Sequence, residues 1–432
     1  MATVTQTGGL PRGVGQLTRG WRLFMIGTGA LVLLGLFAYS REFSQGMTVT
    51  GMRNVGTMGG ATWGLYITFV VYFVGVSFAG ITIAVVIRLL NLTHLRPLAR
   101  MAELLTVVSL VLGAIAIIVD LGQPLRGIVN LFRYARPQSP FFGTFTMVVA
   151  GYLFASLVYL WLTSRRDAAL LARQESRLRW LHRLVAVGYR DTEAERKRHQ
   201  KATFWLAVSI LPMLIVAHST LGFVFGLQVG RPGWYSALQA PAFVVLAGVS
   251  GTGLLIVLAA IVRKHLARDV GLNTPVFAWL GRFMMILLLV YLYFMITELL
   301  TATYAGSERE LRVTREMLWG EYAWIFWTSV ALLVVPLVVL VYQALTKRWR
   351  LGWLVASGLA VNLGAIGKRY LIAVPSQTHG TLLPYAEGSY SPSWVEFLVV
   401  LGLIALGALA IGAFMKVLPI VELEHEEVAL DA

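Results

Sequence analysis

The stretch VLGAIAIIVDLGQPLR, residues 111–126, ends an apolar run with a carboxyl group, Asp120. A second apolar run, YLYFMITELL at residues 291–300, also carries an acid near its end, Glu298. A charged group inside a lipid bilayer is costly, so it is retained where it carries protons, binds a ligand or pairs with another charge. Asp120 and Glu298 are therefore the first candidate functional residues.

The composition of the chain predicts an all-α polytopic membrane protein. Of 432 residues, 57% are hydrophobic and only 13% are charged, whereas about a quarter of a soluble domain is charged. Apolar stretches of about 20 residues, the length that crosses a bilayer, recur along the whole sequence. The net charge of +15 is expected to set topology, and no basic, aromatic-interleaved surface for nucleic acid is present.

Ten membrane spans are predicted, with Trp21–Ser40 retained as the first because it lacks a signal-peptide cleavage site. The spans lie near 21–40, 64–89, 101–121, 143–163, 203–226, 241–262, 276–301, 322–345, 351–373 and 394–418. They divide the chain into a flexible cytoplasmic N-terminus 1–20, a first span and outer loop 21–63, a first four-helix bundle 64–226, a second bundle 241–373, a last span 394–418 and an acidic tail 419–432.

Basic loops alternate along the chain and predict its orientation. Loops 89–100, 164–202, 263–275 and 346–350 are rich in Arg and Lys, and all four lie on one side of a ten-span topology. The positive-inside rule then places both termini in the cytoplasm, with Asp120 and Glu298 toward the outer face. Loop 164–202 is either an amphipathic helix on the inner leaflet or a solvated basic connector.

An internal repeat connects the two predicted bundles. GVSFAGITIAVVIR at 75–88 resembles GVSGTGLLIVLAAIVR at 248–263, and the span after each copy carries one of the two acids. Both copies run in the same direction, which predicts two bundles related by an axis along the membrane normal. The small residues of both copies are expected to pack helices closely.

The remaining candidates for chemistry are few. Asp120 is either paired with a nearby arginine such as Arg126 or is a proton acceptor, and Glu298 is either an interfacial acid or a second proton site. His218, the only histidine well inside a span, is either a satisfied core residue or a proton relay. Arg282 pairs with an acid or lines a wet cavity. The chain contains no cysteine, and a lone intramembrane histidine cannot provide two haem ligands, so neither an iron–sulfur cluster nor a haem is expected in this chain.

Several stretches together resemble the NrfD/PsrC family, the membrane subunits of polysulfide reductase and related respiratory oxidoreductases. They are WGLYITFVVYFVGVSFAG at 63–80, DLGQPLR at 120–126 followed by RPQSPFFGTF at 136–145, APAFVVLAGVSGTGLL at 240–255, and the tail stretches PYAEGSYSPSWVEF at 384–397 and KVLPIVELE at 416–424. The ten-span length and the tail are most similar to the longer branch, which includes the membrane subunits of alternative complex III.

The resemblance implies a quinone-interacting subunit of a respiratory or photosynthetic electron-transfer complex in the bacterial inner membrane. Its substrate would be menaquinone or ubiquinone, and its partners an iron–sulfur subunit on the outer face, other membrane and cytochrome subunits, and lipid. Some members use a histidine and an asparagine just before the span that begins here at Trp63. This chain has Asn54 but no nearby histidine, so Asp120 becomes the better proton acceptor, with Trp63, Tyr66 and Arg126 as further quinone-binding candidates.

Two other functions fit the same features. Parallel repeats and buried acids also suit a proton-coupled secondary transporter, although Pro212 and Pro336 do not form a matched pair of interrupted helices. The third possibility is a structural anchor that binds no quinone. Aromatic residues at a span end, such as Trp63 and Tyr66, also occur simply as a membrane-interface belt.

Overall fold

The computed structural model describes residues 10–11, 13–52, 61–134, 136, 138–266, 271–379 and 388–423, and within these ranges the chain is helical without strands. The helices are α1 Arg19–Gln45, α2 Leu65–Leu89, α3 Arg96–Asp120, α4 Pro124–Tyr134, α5 Thr146–Leu171, α6 Arg179–Ala186, α7 Glu193–Gly226, α8 Gln239–Leu266, α9 Thr274–Tyr304, α10 Glu308–Leu318, α11 Ala323–Leu345, α12 Leu351–Ala373, α13 Pro375–Thr378 and α14 Trp394–Val417.

Ten of these helices are long and apolar enough to cross a membrane, and this confirms the predicted fold class. They are α1, α2, α3, α5, α7, α8, α9, α11, α12 and α14. Local sequence signals define several of their ends. Thr192 and Glu195 form a capping box at the start of α7, and Ser393 and Glu396 form another at the start of α14.

Helix contacts place α2 and α8 at the centre of the molecule. Helix α2 packs against α3, α7 and α8, and α8 packs in turn against α7, α9 and α12. Helices α1 and α14 pack on each other, and α14 also packs against α3 and α2. The membrane-spanning helices within the first predicted bundle are α2, α3, α5 and α7, which we call the first group of helices. Those within the second predicted bundle are α8, α9, α11 and α12, the second group. The internal repeat and the domain limits drawn from the sequence remain predictions.

Glycines permit the closest helix contacts. A Cβ added at Gly251 of α8 would lie 2.7 Å from the Cβ of Ala79 on α2, and one added at Gly253 would lie 2.9 Å from the Gly358 carbonyl of α12. Gly35 of α1 meets Gly402 of α14 in the same way, with 2.8 Å from an added Cβ to the facing Cα. The prediction that small residues of the repeats pack helices is confirmed at Gly251 and Gly253.

The predicted basic loop 164–202 is largely helical. Helix α5 extends into it, α6 fills its middle, and α7 begins before its end. Trp180 and Leu184 are exposed on α6, whereas His182 is buried and its Nε2 lies 2.8 Å from the Val417 carbonyl at the end of α14. We call the side of the molecule that carries this segment the basic face.

The described part of the N-terminal segment also lies at the basic face. Val14 is buried, and the Gly15 N–H donates to the Lys416 carbonyl at 2.9 Å. Residues 1–9, for which the sequence predicts flexibility, lie outside the described residues.

Candidate functional site

Asp120 is the last residue of α3, at the face opposite the basic face, and it lies among other acids. The carboxyls of Glu42 on α1 and Glu396 on α14 are close enough to interact with its charge. The Asp120 Oδ1 atom is buried and has no hydrogen-bond partner among the residues that the structure describes. We call Glu42, Asp120 and Glu396 the acid cluster.

Two tyrosines bind the glutamates of the acid cluster. The Tyr66 hydroxyl donates to Glu42 Oε2 at 2.7 Å, and the Tyr390 hydroxyl donates to Glu396 Oε1 at 2.5 Å. The Leu65 N–H donates to the Tyr390 oxygen at 2.7 Å and fixes that ring at the start of α2. Burial, reinforced by the charge of Glu396, raises the pKa of Tyr390, so its hydroxyl remains a donor at physiological pH.

The three carboxyls of the acid cluster differ in their hydrogen bonding. Glu396 Oε2 accepts from the N–H groups of Gly51 at 2.7 Å and Ser393 at 2.8 Å, in addition to the bond that Tyr390 gives Oε1. Three donors suit an ionised carboxylate. Asp120 Oδ1 and Glu42 Oε1, by contrast, accept no hydrogen bond from the described part of the chain. Such oxygen atoms are available to a ligand hydroxyl, a water molecule or a proton.

Trp63 stacks on Trp234 just before α2. Their ring centroids are 5.4 Å apart at an interplanar angle of 15°, and Phe225 meets Trp63 edge-on at 5.7 Å. Gln377 holds the backbone here, because its Oε1 accepts from the Trp63 N–H at 3.0 Å and its Nε2 donates to the Trp63 carbonyl at 2.8 Å. Tyr66 is fully buried. Trp63 and Tyr66, which the sequence analysis grouped at one end of a span, therefore belong to two different sites. Trp63 is part of an aromatic stack, and Tyr66 binds the acid cluster.

Two other quinone candidates stand apart from the acid cluster. Arg126 lies on the short helix α4 with an exposed side chain, and within the described residues no ion pair joins it to Asp120. Helix α4 is amphipathic and exposes Leu125 and Val129. Asn54 lies outside the described residues.

Glu298 belongs to a different site, in the second group of helices. Its Oε1 accepts from Gln239 Nε2 at 2.9 Å, and Lys368 of α12 is close enough to interact with its charge. The Lys368 ammonium also lies over the Phe326 ring, 5.0 Å from its centroid. Glu298 thus has a buried lysine in its surroundings, not paired with it, that the sequence analysis did not single out, although a lysine inside an apolar span is a visible signal.

His218 is a residue of α7 whose side chain points to α2, and a backbone carbonyl faces each of its two ring nitrogens. Nδ1 is 2.8 Å from the Leu214 oxygen, and Nε2 is 2.7 Å from the Val74 oxygen. A neutral imidazole has one N–H, so only the imidazolium donates to both oxygens. Arg369 of α12 is close enough for its charge to act on His218; it is buried, its Nη2 lies 3.5 Å from Ser250 Oγ, and the sequence analysis did not single it out.

Arg282 forms an ion pair with neither Asp120 nor Glu298, all three of which lie within the described residues. Its side chain is exposed, and its guanidinium lies over the Trp349 ring at 5.6 Å. It precedes Glu298 by 16 residues on α9, or roughly 24 Å at 1.5 Å per residue. Asp120, Glu298, His218 and Arg282 therefore occupy four separate environments. Within the described residues, no group of three His, Cys, Asp or Glu side chains is arranged to hold a metal ion.

Comparison with known proteins matches most of the chain to one family. The family described as "Polysulphide reductase, NrfD" matches residues 53–379, which contain α2 to α13 and exclude α1 and α14. A putative membrane subunit of dimethyl sulfoxide reductase from Halobacterium salinarum is 32% identical over 94% of this chain and 92% of its own length.

Other relatives are more distant. A selenate reductase subunit from Mesobacillus selenatarsenatis is 24% identical over 92% of this chain and 93% of its own. An Hdr-like menaquinol oxidoreductase integral membrane subunit from Archaeoglobus fulgidus is 23% identical over 87% and 88%, respectively. Among solved structures, bd oxidase from Geobacillus thermodenitrificans aligns with a TM-score of 0.52 and 13% identity over 89% of this chain and 96% of that one, a likeness of fold alone.

Proposed function

Because this chain belongs to the NrfD polysulphide reductase family, we propose that it is the quinone-interacting membrane subunit of an electron-transfer complex. Relatives of nearly full length are named as membrane subunits of dimethyl sulfoxide reductase and menaquinol oxidoreductase. By analogy this chain assembles with partner subunits, one of which carries iron–sulfur clusters and docks on the face opposite the basic face. The complex lies in the cytoplasmic membrane of a bacterium, with both termini of this chain inside.

The acid cluster is the observation that carries this proposal. A quinol that is oxidised loses two electrons and two protons, so its site needs groups that accept protons. Asp120 Oδ1 and Glu42 Oε1 are buried carboxyl oxygens with no hydrogen-bond partner among the described residues, and they lie at the face where we propose that the iron–sulfur partner docks. In this proposal Asp120 takes one of the two quinol protons and Glu42 takes the other, directly or through water, and the two electrons would leave to an acceptor in the partner subunit. The same groups return protons when a quinone is reduced.

Further groups are proposed for proton movement. His218 is buried in the first group of helices and Glu298 is half-buried in the second, and each can hold a proton. Arg282 is exposed near the basic face, where its positive charge would act on protons that enter or leave such a path. The longer branch of the family that contains alternative complex III is the proposed setting, with menaquinone or ubiquinone as substrate.

Lipid extraction tests the proposed function. The tagged chain is purified together with the subunits that accompany it, and quinone per protein is measured by mass spectrometry of the extract. We expect a quinone content above that of the bulk membrane lipid and an iron–sulfur subunit in the same preparation. Asp120→Asn should lower quinol turnover, whereas the exposed Glu308→Gln should not. A preparation with neither enriched quinone nor such a partner would contradict the proposal.

The transporter alternative has less support. Binding sites in such transporters are commonly formed where membrane helices are interrupted. Helix α7 runs without a break through Pro212, and α11 runs without a break through Pro336.

A further inference from the structure

Helix α5 carries a line of buried polar residues along one side. Their spacing of four, three, four and four positions keeps them on one face of the helix. They are Tyr152, Ser156, Tyr159, Thr163 and Asp167, and all are buried. From first to last they extend roughly 22 Å at 1.5 Å per residue. We call this line the polar face of α5.

The basic-face end of this line is a charged cluster. Arg100 of α3 forms a buried ion pair with Asp167 and donates to the Thr163 carbonyl at 2.7 Å. The Thr163 hydroxyl donates to Glu103 Oε2 at 2.5 Å. Glu103 is 1% exposed, and its other oxygen, Oε1, has no hydrogen-bond partner within the described ranges of the chain. A buried carboxyl with one free oxygen is suited to take up and release a proton.

The C-terminal segment connects this cluster to the surface. Glu422 lies 3.9 Å from Arg100 and 3.3 Å from Arg88. Both Glu422 and Arg88 are partly exposed, at 23% and 28% of their side chains. The Leu423 N–H also lies 3.4 Å from Asp167. A chain of charged side chains therefore leads from the surface at the basic face to Glu103.

The inner end of the line reaches His218. The Tyr152 hydroxyl donates to the Ser77 carbonyl at 3.1 Å, and the Tyr152 ring lies 6.0 Å from the His218 ring. Between Tyr152 and Glu103, the Tyr159 hydroxyl is buried, and no described residue forms a hydrogen bond with it. It lies close enough to Glu103 to interact with its charge. Buried polar atoms without a protein partner are commonly satisfied by internal water.

We propose that the polar face of α5 lines a water-filled proton conduit that connects the basic face to His218. A proton binds Glu103 and passes through water along the hydroxyls of Tyr159, Ser156 and Tyr152. Each oxygen accepts one proton and releases another, so no electron moves and no net bond changes along the way. His218 is the far end of the conduit: the added proton lets its ring donate to both the Val74 and the Leu214 carbonyls, and the ring releases that proton toward the opposite face in each turnover.

The conduit itself is tested without quinone by hydroxyl-radical footprinting of the full chain in its complex. Radicals made from water label side chains that touch water, including internal water. We expect Tyr152 and Tyr159 to be labelled faster than Phe73, a ring that is also buried and packs against Phe69 at 5.6 Å. Labelling of both tyrosines at the rate of Phe73 would show that the polar face is dry and would overturn the proposal.

The use of the conduit rests on the proposed function and is tested in liposomes that contain the complex. Quinol turnover and proton uptake from the basic face are measured together. Glu103→Gln and Tyr159→Phe should lower the protons taken up per quinol by about 10-fold or more, with turnover retained when a protonophore is present. The matched controls Glu308→Gln and Tyr293→Phe alter exposed side chains and should leave the ratio unchanged.

Two outcomes of the liposome experiment have different meanings. An unchanged ratio of protons to quinol in both test variants would overturn the conduit while leaving quinol chemistry intact. Absence of quinol turnover in the wild-type complex would instead overturn the proposed function, and the footprinting result alone would then decide whether the conduit exists.

Discussion

Removal of the Asp167 carboxylate should destabilise the protein far more than removal of an exposed carboxylate. Asp167 and Arg100 form an ion pair in which both side chains are almost fully buried. Asp167→Ala leaves the Arg100 guanidinium without that counter-charge in a region of low dielectric. Removing one partner of a buried pair costs about 3–5 kcal/mol of unfolding free energy.

The contacts that remain around Arg100 place the expected loss at the lower end of that range. Arg100 still donates to the carbonyls of Thr163 at 2.7 Å and Pro419 at 3.1 Å, and Glu422 lies 3.9 Å away. We therefore expect a loss of about 3 kcal/mol for Asp167→Ala. The exposed pair of Lys197 and Glu193, at 3.4 Å, is the control, since such a pair contributes about 0.5 kcal/mol.

The assay is reversible unfolding in mixed micelles, with increasing SDS and helix content read by circular dichroism. Asp167→Ala and Glu193→Ala are compared with the wild type. The double variant Arg100→Met with Asp167→Leu, which removes both charges and keeps apolar volume, should recover most of the loss. Equal losses in Asp167→Ala and Glu193→Ala, or a double variant weaker than Asp167→Ala, would refute the reasoning.

Three other predictions concern the site and the topology. Asp120→Asn should lower quinol turnover by about 100-fold in an assembled complex, because an amide cannot accept the proton; near-normal turnover would remove Asp120 from the mechanism. The isolated chain should give no b-type haem band in a reduced-minus-oxidised spectrum, and stoichiometric haem would reopen the search for ligands. A cysteine at Ser307 should react with an impermeant thiol reagent in spheroplasts unless a docked partner shields it, and one at Glu175 should not; the opposite pattern would invert the topology.

The sequence predicted the ten spans because a bilayer imposes a length and a composition on each helix. It predicted the span that ends at Asp120 and the one that carries Glu298 for the same reason. The helical content of 164–202 was harder to recognise, because its arginines resemble those of a solvated loop. There α5 and α7 extend beyond the apolar core, and α6 is held by the buried His182.

The acid cluster could be predicted only in part. Asp120 was recognisable as an acid in an apolar run, whereas Glu42 follows Arg41 and resembles an ordinary interfacial charge, and Glu396 resembles a helix cap. Their association depends on contacts such as that of Gly51 with Glu396, 345 positions apart in the chain. Separations of this kind are set by helix packing, which one sequence does not encode in any local pattern.

The pairing of α1 with α14 brings two further carboxyl groups close to Asp120. Both helices lie outside residues 53–379, yet they supply Glu42 and Glu396, two of the three carboxyls of the acid cluster. A chain reduced to the shared core would keep Asp120 and lose both of its acidic neighbours. Helices outside the matched region can thus set the charge around a residue inside it without altering the core that holds that residue.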